Sequence, residues 1–184
     1  MTRQSYDGDA AEDGALVRRW LAGDERAATA LVARHADAVA RFAAGAGALD
    51  DVDEIVQDTF VRAFASLESF RGDSSLRTWL FTIARRLLLD RARAAGRGRA
   101  RVAAGEAEPV ASYTALDALV ADETETRLRH ALERLSPMQR DVFTLRVGEG
   151  QSYREIAQVL GSTEGAARVH YHNAMRQIKE LIDD

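Results

Sequence analysis

The stretch from Asp50 to Arg93 limits what this chain can fold into more than any other. It carries two successive helical periods whose outward faces have opposite chemistry. At about 100° per residue, Val52, Val56, Phe60, Ala63 and Leu67 fall on one apolar stripe, and Glu54, Asp58, Val61 and Arg62 lie opposite with Gln57 at the edge. Asp50 or Asp51 suits the N-cap, and the acids of the first turns suit the helix dipole. The outer face, which sets Ile55 and Val61 among carboxylates, fits either a solvated surface or a basic partner helix.

The second helix is expected to begin at Ser74 or Ser75, after the turn-forming Arg71-Gly72-Asp73. Leu76, Leu80, Ile83, Ala84 and Leu87 make its inner stripe. The opposite face holds Thr78, Thr82, Arg85, Arg86, Leu89 and Arg93, with Trp79 and Phe81 on its borders and the nearest carboxylate, Asp90, at its margin. Hydroxyls and guanidiniums flanked by aromatics are what a nucleic-acid backbone and unstacked bases require. A merely solvated basic face accounts for the arginines but not for the threonines, Leu89 or the missing acids.

Charge is segregated in the same sense. Ten arginines stand against three acids between Val61 and Gly105, whereas residues 1–60 hold twelve acids and six arginines, so a net charge of -4 conceals a local basic quarter. Basicity confined to one region implies a localised anionic partner. The 184 residues contain no cysteine, which removes disulfides and thiolate metal sites, and no apolar run approaches the roughly 18 residues of a membrane span. The acidic, polar N-terminus does not read as a signal peptide.

Taken in order, residues 1–12 are expected to be disordered. Leu16, Val17, Trp20 and Leu21 form a short apolar face closed by Gly23. Asp24 then caps a helix in which Leu31, Val39 and Phe42 pack and which ends near Gly45 and Gly47. The lone His35 in that helix reads as a plain surface or core histidine. With the two helices above, residues 13–93 make a four-helix domain. Residues 94–118, rich in Ala, Gly and Arg without periodicity, read as a flexible linker. About 25 extended residues reach on the order of 80 Å, beyond the roughly 50 Å of one and a half duplex turns.

A second module, residues 119–184, starts near Leu116 to Leu119 and continues through Leu128, Ala131, Leu132 and Leu135. Ser136-Pro137 starts a helix with Val142, Phe143 and Leu145. Ser152 and Glu155 form a capping box, and Ala157, Gly161 and Ala167 take the small, turn and buried positions of a helix-turn-helix. Thr163 caps a last helix whose inner face is Ala167, Tyr171, Ala174, Ile178 and Leu181. Its outer face offers Arg168, Val169, His172, Asn173 and Arg176, which is either a solvated polar surface or a base-reading one. His170 and His172 point about 200° apart, so they do not share a metal ion.

Four blocks, DEIVQDTFVRAF, FRGDSSLRTWLFTIAR, LSPMQRDVFTLR and SYREIAQVLGSTEGAARVHYHNAMRQIKEL, resemble in sequence and order the extracytoplasmic-function, or group 4, sigma factors of bacterial RNA polymerase. The resemblance implies an all-α protein of two small helical domains, σ2-like and σ4-like, joined by the linker. It implies an alternative sigma factor, cytoplasmic or held at the membrane through an anti-sigma factor, that recruits core polymerase to promoter DNA. Carried over by position, Glu54, Gln57, Asp58 and Val61 would meet the β′ coiled coil. Phe70, Arg71, Asp73, Ser74 and Ser75 would hold a flipped base, and Thr78, Trp79, Thr82, Arg85 and Arg86 would lie on the −10 element. Thr163, Glu164, Arg168, Val169, His172 and Asn173 would read the −35 element, with the β flap as a further contact of that domain. The sequence departs from the family at Arg86, where asparagine is common, and at Val169, His170 and Asn173, where serine or arginine is common, so promoter preference is expected to differ.

Neither a phosphate-binding glycine motif nor a His-carboxylate constellation is present, and no enzyme, cofactor, metal or small-molecule substrate is expected. Two rival readings are a stand-alone helix-turn-helix regulator, which leaves the basic-aromatic face of the first module unexplained, and an adaptor that binds polymerase or an anti-sigma protein without initiating.

Overall fold

A computed structural model describes residues 3–102 and 130–183, and these form helices joined by short turns. Helix α1 (Arg3–Leu21) begins well inside the segment expected to be disordered. Acids read as solvating by composition instead share a helix face with a cation opposite. Arg34 on α2 (Glu25–Gly45) donates to Asp9, Glu12 and Asp13 at 3.2, 2.7 and 2.9 Å. His35 is buried beside them, its Nε2 3.0 Å from Asp13 Oδ1.

Asp24 caps α2 as its spacing predicts, accepting from the Arg26 amide at 3.0 Å. After α2 the chain turns at Gly47, whose φ of 95° excludes most side chains. Helix α3 (Val52–Ser66) packs against both α2 and α4 (Leu76–Val102). That double contact widens its buried arc. Ile55, expected on the outer face, is fully buried; Thr59 joins it, donating to the Ile55 carbonyl at 2.6 Å; and Val52 and Val56 are only half buried. Phe81, expected at the border of an outward face, is likewise inside, with its ring 5.3 Å from that of Phe42. Helix α4 continues past residue 93, where the linker was expected to begin. The remainder of that linker, together with Leu116 to Leu119 and Leu128, lies outside the described residues.

The second helical unit runs from a helical turn at residues 130–134 through α5 (Pro137–Phe143), a wide turn (Thr144–Gly148), α6 (Tyr153–Leu160) and α7 (Glu164–Asp183). Both expected serine caps form. Ser136 and Gln139 bond reciprocally at 2.9 and 3.3 Å, and Ser152 and Glu155 do so at 2.8 and 3.3 Å. Gly161 takes the left-handed turn of the helix-turn-helix at φ 59°, and Ala157 and Ala167 are buried on either side of it.

The apolar core of the first unit does not stop at its own helices. Val142, Leu145 and Ile156, all fully buried, join the cluster that contains Leu76, Leu80 and Phe81, so the two units share one core. At roughly 1.5–3 kcal/mol for each large side chain buried, this is a substantial contact. It depends on close approach: a Cβ at Gly45 would stand 2.6 Å from the Thr144 side chain, so α2 meets the wide turn only because residue 45 has none. A smaller core of Ala131, Leu135, Ala174 and Ile178 belongs to the second unit alone.

Candidate nucleic-acid interface

The outward face of α4 is where the structure adds most to the sequence. Ser75 caps the helix by accepting from the Thr78 amide at 3.1 Å, and Phe70 stacks against Trp79 with centroids 5.2 Å apart, which anchors the preceding loop. In that loop Arg71 and Asp73 are exposed and Ser74 is half buried. Thr78 is only 1% exposed because the second unit covers it. Its hydroxyl lies 2.8 Å from Ser75 Oγ and donates to Gln151 Oε1 at 3.0 Å. Thr82 is half buried and donates to the Thr78 carbonyl at 3.0 Å. Arg85 donates through Nε to Asp141 Oδ2 at 3.2 Å, while Arg86 remains exposed. Burial pushes the Asp141 carboxyl above its ordinary value, and the Arg85 guanidinium offsets only part of that rise.

One carboxylate organises the junction. The Glu149 side chain is fully buried and receives Arg41 from α2, at 2.8 and 3.2 Å, together with Arg77 from α4. The hydrogen bond to Glu149 holds the Arg41 guanidinium above its ordinary value although burial opposes it. The turn that presents Glu149 is fixed by the Gln151 amide bonding Leu145 O at 2.9 Å and by Arg146 bonding Gln151 O at 2.8 Å. Arg41, Arg77, Glu149 and Gln151 were all missed by sequence reasoning. Only Arg77, beside Thr78 in a basic helix, offered a signal; Arg41 and Glu149 are 108 positions apart.

On α3 the acids face out as expected. Glu54, Gln57 and Val61 are exposed, and Asp58 is 43% exposed. A further residue belongs to this face: Arg91 of α4 bonds Glu54 at 3.0 Å and Asp58 at 3.1 Å and lies 3.6 Å from Asp51. The Glu54 bond holds that guanidinium above its ordinary value despite desolvation. The surface is therefore a carboxylate cluster with one internal counter-charge beside exposed Val61.

On α7, Thr163 caps the helix by accepting from the Ala166 amide at 3.2 Å. Glu164, Arg168, Val169 and His172 are exposed on its first turns and Asn173 is half buried, so the candidate base-reading side chains do share a face. Arg168 is not free to wander. Its guanidinium lies 4.6 Å from the centre of the Tyr153 ring, over which Arg146 also stacks at 4.9 Å. Among the described residues no group of three metal-ligating side chains occurs, and no helix is long and apolar enough to cross a membrane.

Two family models match this chain: sigma-70 region 2 over residues 31–98 and sigma-70 region 4 over residues 125–178. Among curated proteins, the ECF RNA polymerase sigma-E factor of Escherichia coli is 33% identical over 181 residues, covering 94% of this chain and 93% of that protein. The chain belongs to the sigma-70 family, among its extracytoplasmic-function members. The sigma-E factor of Haemophilus influenzae is similarly related, at 31% identity over 92% of this chain and 95% of its own. Solved sigma structures share the fold. The sigma factor RpoE, in complex with the anti-sigma factor NepR from Bartonella quintana, aligns at TM-score 0.71 and 28% identity over 84% of this chain and 96% of its own. CnrH, in complex with the cytosolic domain of CnrY, aligns at 0.68 and 31% identity over 94% and 97%. In this sigma-70 chain, region 2 carries the α3 and α4 faces, and region 4 carries the helix-turn-helix and the Glu149 turn.

Proposed function

We propose that this chain is an alternative sigma factor that binds core RNA polymerase, recognises −10 and −35 promoter elements and promotes initiation, and that an anti-sigma factor restrains it. The observation that carries the reading is the occurrence, in one chain and in order, of a region 2 unit and a region 4 unit. Glu54, Gln57, Asp58 and Val61 offer the polymerase a carboxylate cluster with an apolar centre, which suits a basic partner helix. Phe70, Arg71, Asp73, Ser74 and Ser75 with Trp79 would receive an unstacked base, Thr78, Thr82, Arg85 and Arg86 the −10 strand, and Thr163, Glu164, Arg168, Val169, His172 and Asn173 the −35 groove.

Base unstacking costs a few kcal/mol, and binding of the extruded bases offsets it. Phosphoryl transfer belongs to the polymerase, so this chain acts without catalysing a reaction and acts where polymerase is, in the cytoplasm. Thr78 and Arg85 are engaged by the second unit, so the DNA-binding form is an opened one in which Gln151 and Asp141 have left them.

Run-off transcription with core polymerase on a pool of promoter fragments tests the reading. The Glu54→Ala/Gln57→Ala/Asp58→Ala variant should lose core binding and all transcripts. Arg168→Ala should lose −35-dependent transcripts selectively. Tight duplex binding by the chain alone, with no stimulation of polymerase, would favour a stand-alone regulator.

A further inference from the structure

We propose that Arg41 and Arg77 together form a binding site for a DNA backbone phosphate, and that Glu149 fills this site as an internal competitor when the two units are closed. The proposal rests on the reading of the α4 face as a −10 surface and adds two residues that this reading did not contain.

The site is already holding an anion. Guanidiniums from two different helices converge on one carboxylate whose side chain has no solvent exposure, and Arg41 engages it through both Nε and a terminal nitrogen. Forked guanidinium groups of this kind donate to carboxylate and phosphate oxygens alike. Among the described residues, Glu149 is the only carboxylate that either arginine bonds, and it comes from the other unit. When the units part, two cations are left beside Thr78 without a bonded acid.

The fit to Glu149 is also incomplete. Arg77 Nε is buried with no hydrogen-bond partner among the described residues, while the same guanidinium lies 5.7 Å from the Phe81 ring centre and is held in place. The two carboxylate oxygens take three donors of this cradle and leave the fourth, Arg77 Nε, unbonded; a backbone phosphate sets its two charged oxygens tetrahedrally beside two ester oxygens and so can meet the four donors in a different geometry. The neighbouring contact follows the same pattern, because Gln151, two residues on, accepts from the Thr78 hydroxyl through its side-chain Oε1. The segment from Glu149 to Gln151 thus lies along α4 with an anion on the arginines and a polar group on the threonine, as a nucleic-acid strand would.

The experiment measures binding of a labelled mixed-sequence single-stranded oligonucleotide to the full chain, across a salt series, beside run-off transcription by the wild type with core polymerase. Glu149→Gln should raise affinity about tenfold, within the usual range of coupled equilibria. Adding Arg41→Gln/Arg77→Gln to it should abolish the gain and reduce the salt slope by about 1.4, at roughly 0.7 for each neutralised charge. No gain from Glu149→Gln, or a gain that survives loss of both arginines, would overturn the site.

A second measurement does not depend on the folding of the Glu149 variant. In the otherwise native chain, Arg41→Gln/Arg77→Gln should make promoter complexes formed with core polymerase dissociate at lower salt. An unchanged salt dependence there overturns the proposal as well. Wild-type chain that neither transcribes nor binds the oligonucleotide would instead sink the sigma reading, and this proposal with it.

Discussion

The Thr78 hydroxyl donates to the Gln151 side chain across the junction of the two helical units, at 3.0 Å, and this one bond puts a candidate DNA contact out of reach of DNA. Arg85 is in the same position, bound to Asp141. Closure therefore uses the polar chemistry that a promoter strand would use. The shared apolar core of Val142, Leu145 and Ile156 against Leu80 and Phe81 adds to it, so opening exposes both polar and apolar surface. A partner that prefers the open form must offer differential binding energy large enough to offset that exposure.

The pair Arg85 and Asp141 gives a pH-dependent expectation. Arg85→Met leaves the buried Asp141 carboxylate without its cation, a change that costs about 3 kcal/mol when one partner of a buried pair is removed. The folded Asp141 already titrates above its ordinary 3.8 because of burial. A carboxyl raised in this way favours the folded state most at low pH and loses that advantage as pH rises through its folded value. The deficit of the variant should therefore be large near pH 7 and small near pH 4 in urea unfolding. A deficit independent of pH would show that Arg85 acts by packing alone.

Asp13 behaves in the opposite sense. Burial acts to raise its carboxyl, but His35 and Arg34 outweigh burial and hold it below 3.8. Its contribution is thus fully present above about pH 4 and disappears as pH falls through the depressed folded value. Asp13→Ala should cost about 2 kcal/mol near neutrality, lowering the melting temperature by about 4–8 °C, with α1 the first segment to exchange its amide protons. The difference from wild type should shrink as pH falls through that depressed folded value. Amide exchange showing α1 equally protected in both proteins at neutral pH would remove Asp13 from the attachment of that helix.

These two groups also show how far the sequence could be read. Capping residues act within three or four positions, and Asp24, Ser136, Ser152 and Gly161 all stand where spacing put them. Face assignments were less complete, because a helix touched from two sides buries more than one stripe; Ile55 and Phe81 went inside for that reason. Composition reads residues 1–12 as disordered, whereas α1 begins at Arg3 and Arg34, distant in sequence, gathers Asp9 and Glu12. The outward faces of α3 and α7 were legible because each lies on a single helix. The Glu149 site was not, since its parts come from α2, α4 and the turn before α6 and no local pattern joins them.

Arg91 should act as a brake on the acidic face of α3. It bonds Glu54 and Asp58, so a basic partner must compete with an internal cation for the same oxygens. Arg91→Ala should strengthen association with core polymerase about two- to threefold at low salt, mainly through the on-rate, and the gain should fade as salt screens the charges. Surface plasmon resonance at two ionic strengths reads both parts. Weaker binding at low salt would mean that Arg91 shapes the face for polymerase and does not compete with it.

Tyr153 should fix the aim of Arg168. A long side chain on an exposed helix face loses rotamer freedom when it binds a base edge, and one already stacked at 4.6 Å over an aromatic ring loses less. An exposed cation–π contact is worth about 0.5–1 kcal/mol, so Tyr153→Leu should weaken binding to a wild-type-selected −35 duplex two- to fivefold. Tyr153→Phe keeps the ring and should cost less than twofold. Arg168→Ala should cost about 1–3 kcal/mol and relax preference at one base position. Because the ring acts through the guanidinium, Tyr153→Leu should cost almost nothing further once Arg168 is alanine. Strict additivity in that double-mutant cycle would show that Tyr153 supports the fold of α6 without aiming Arg168.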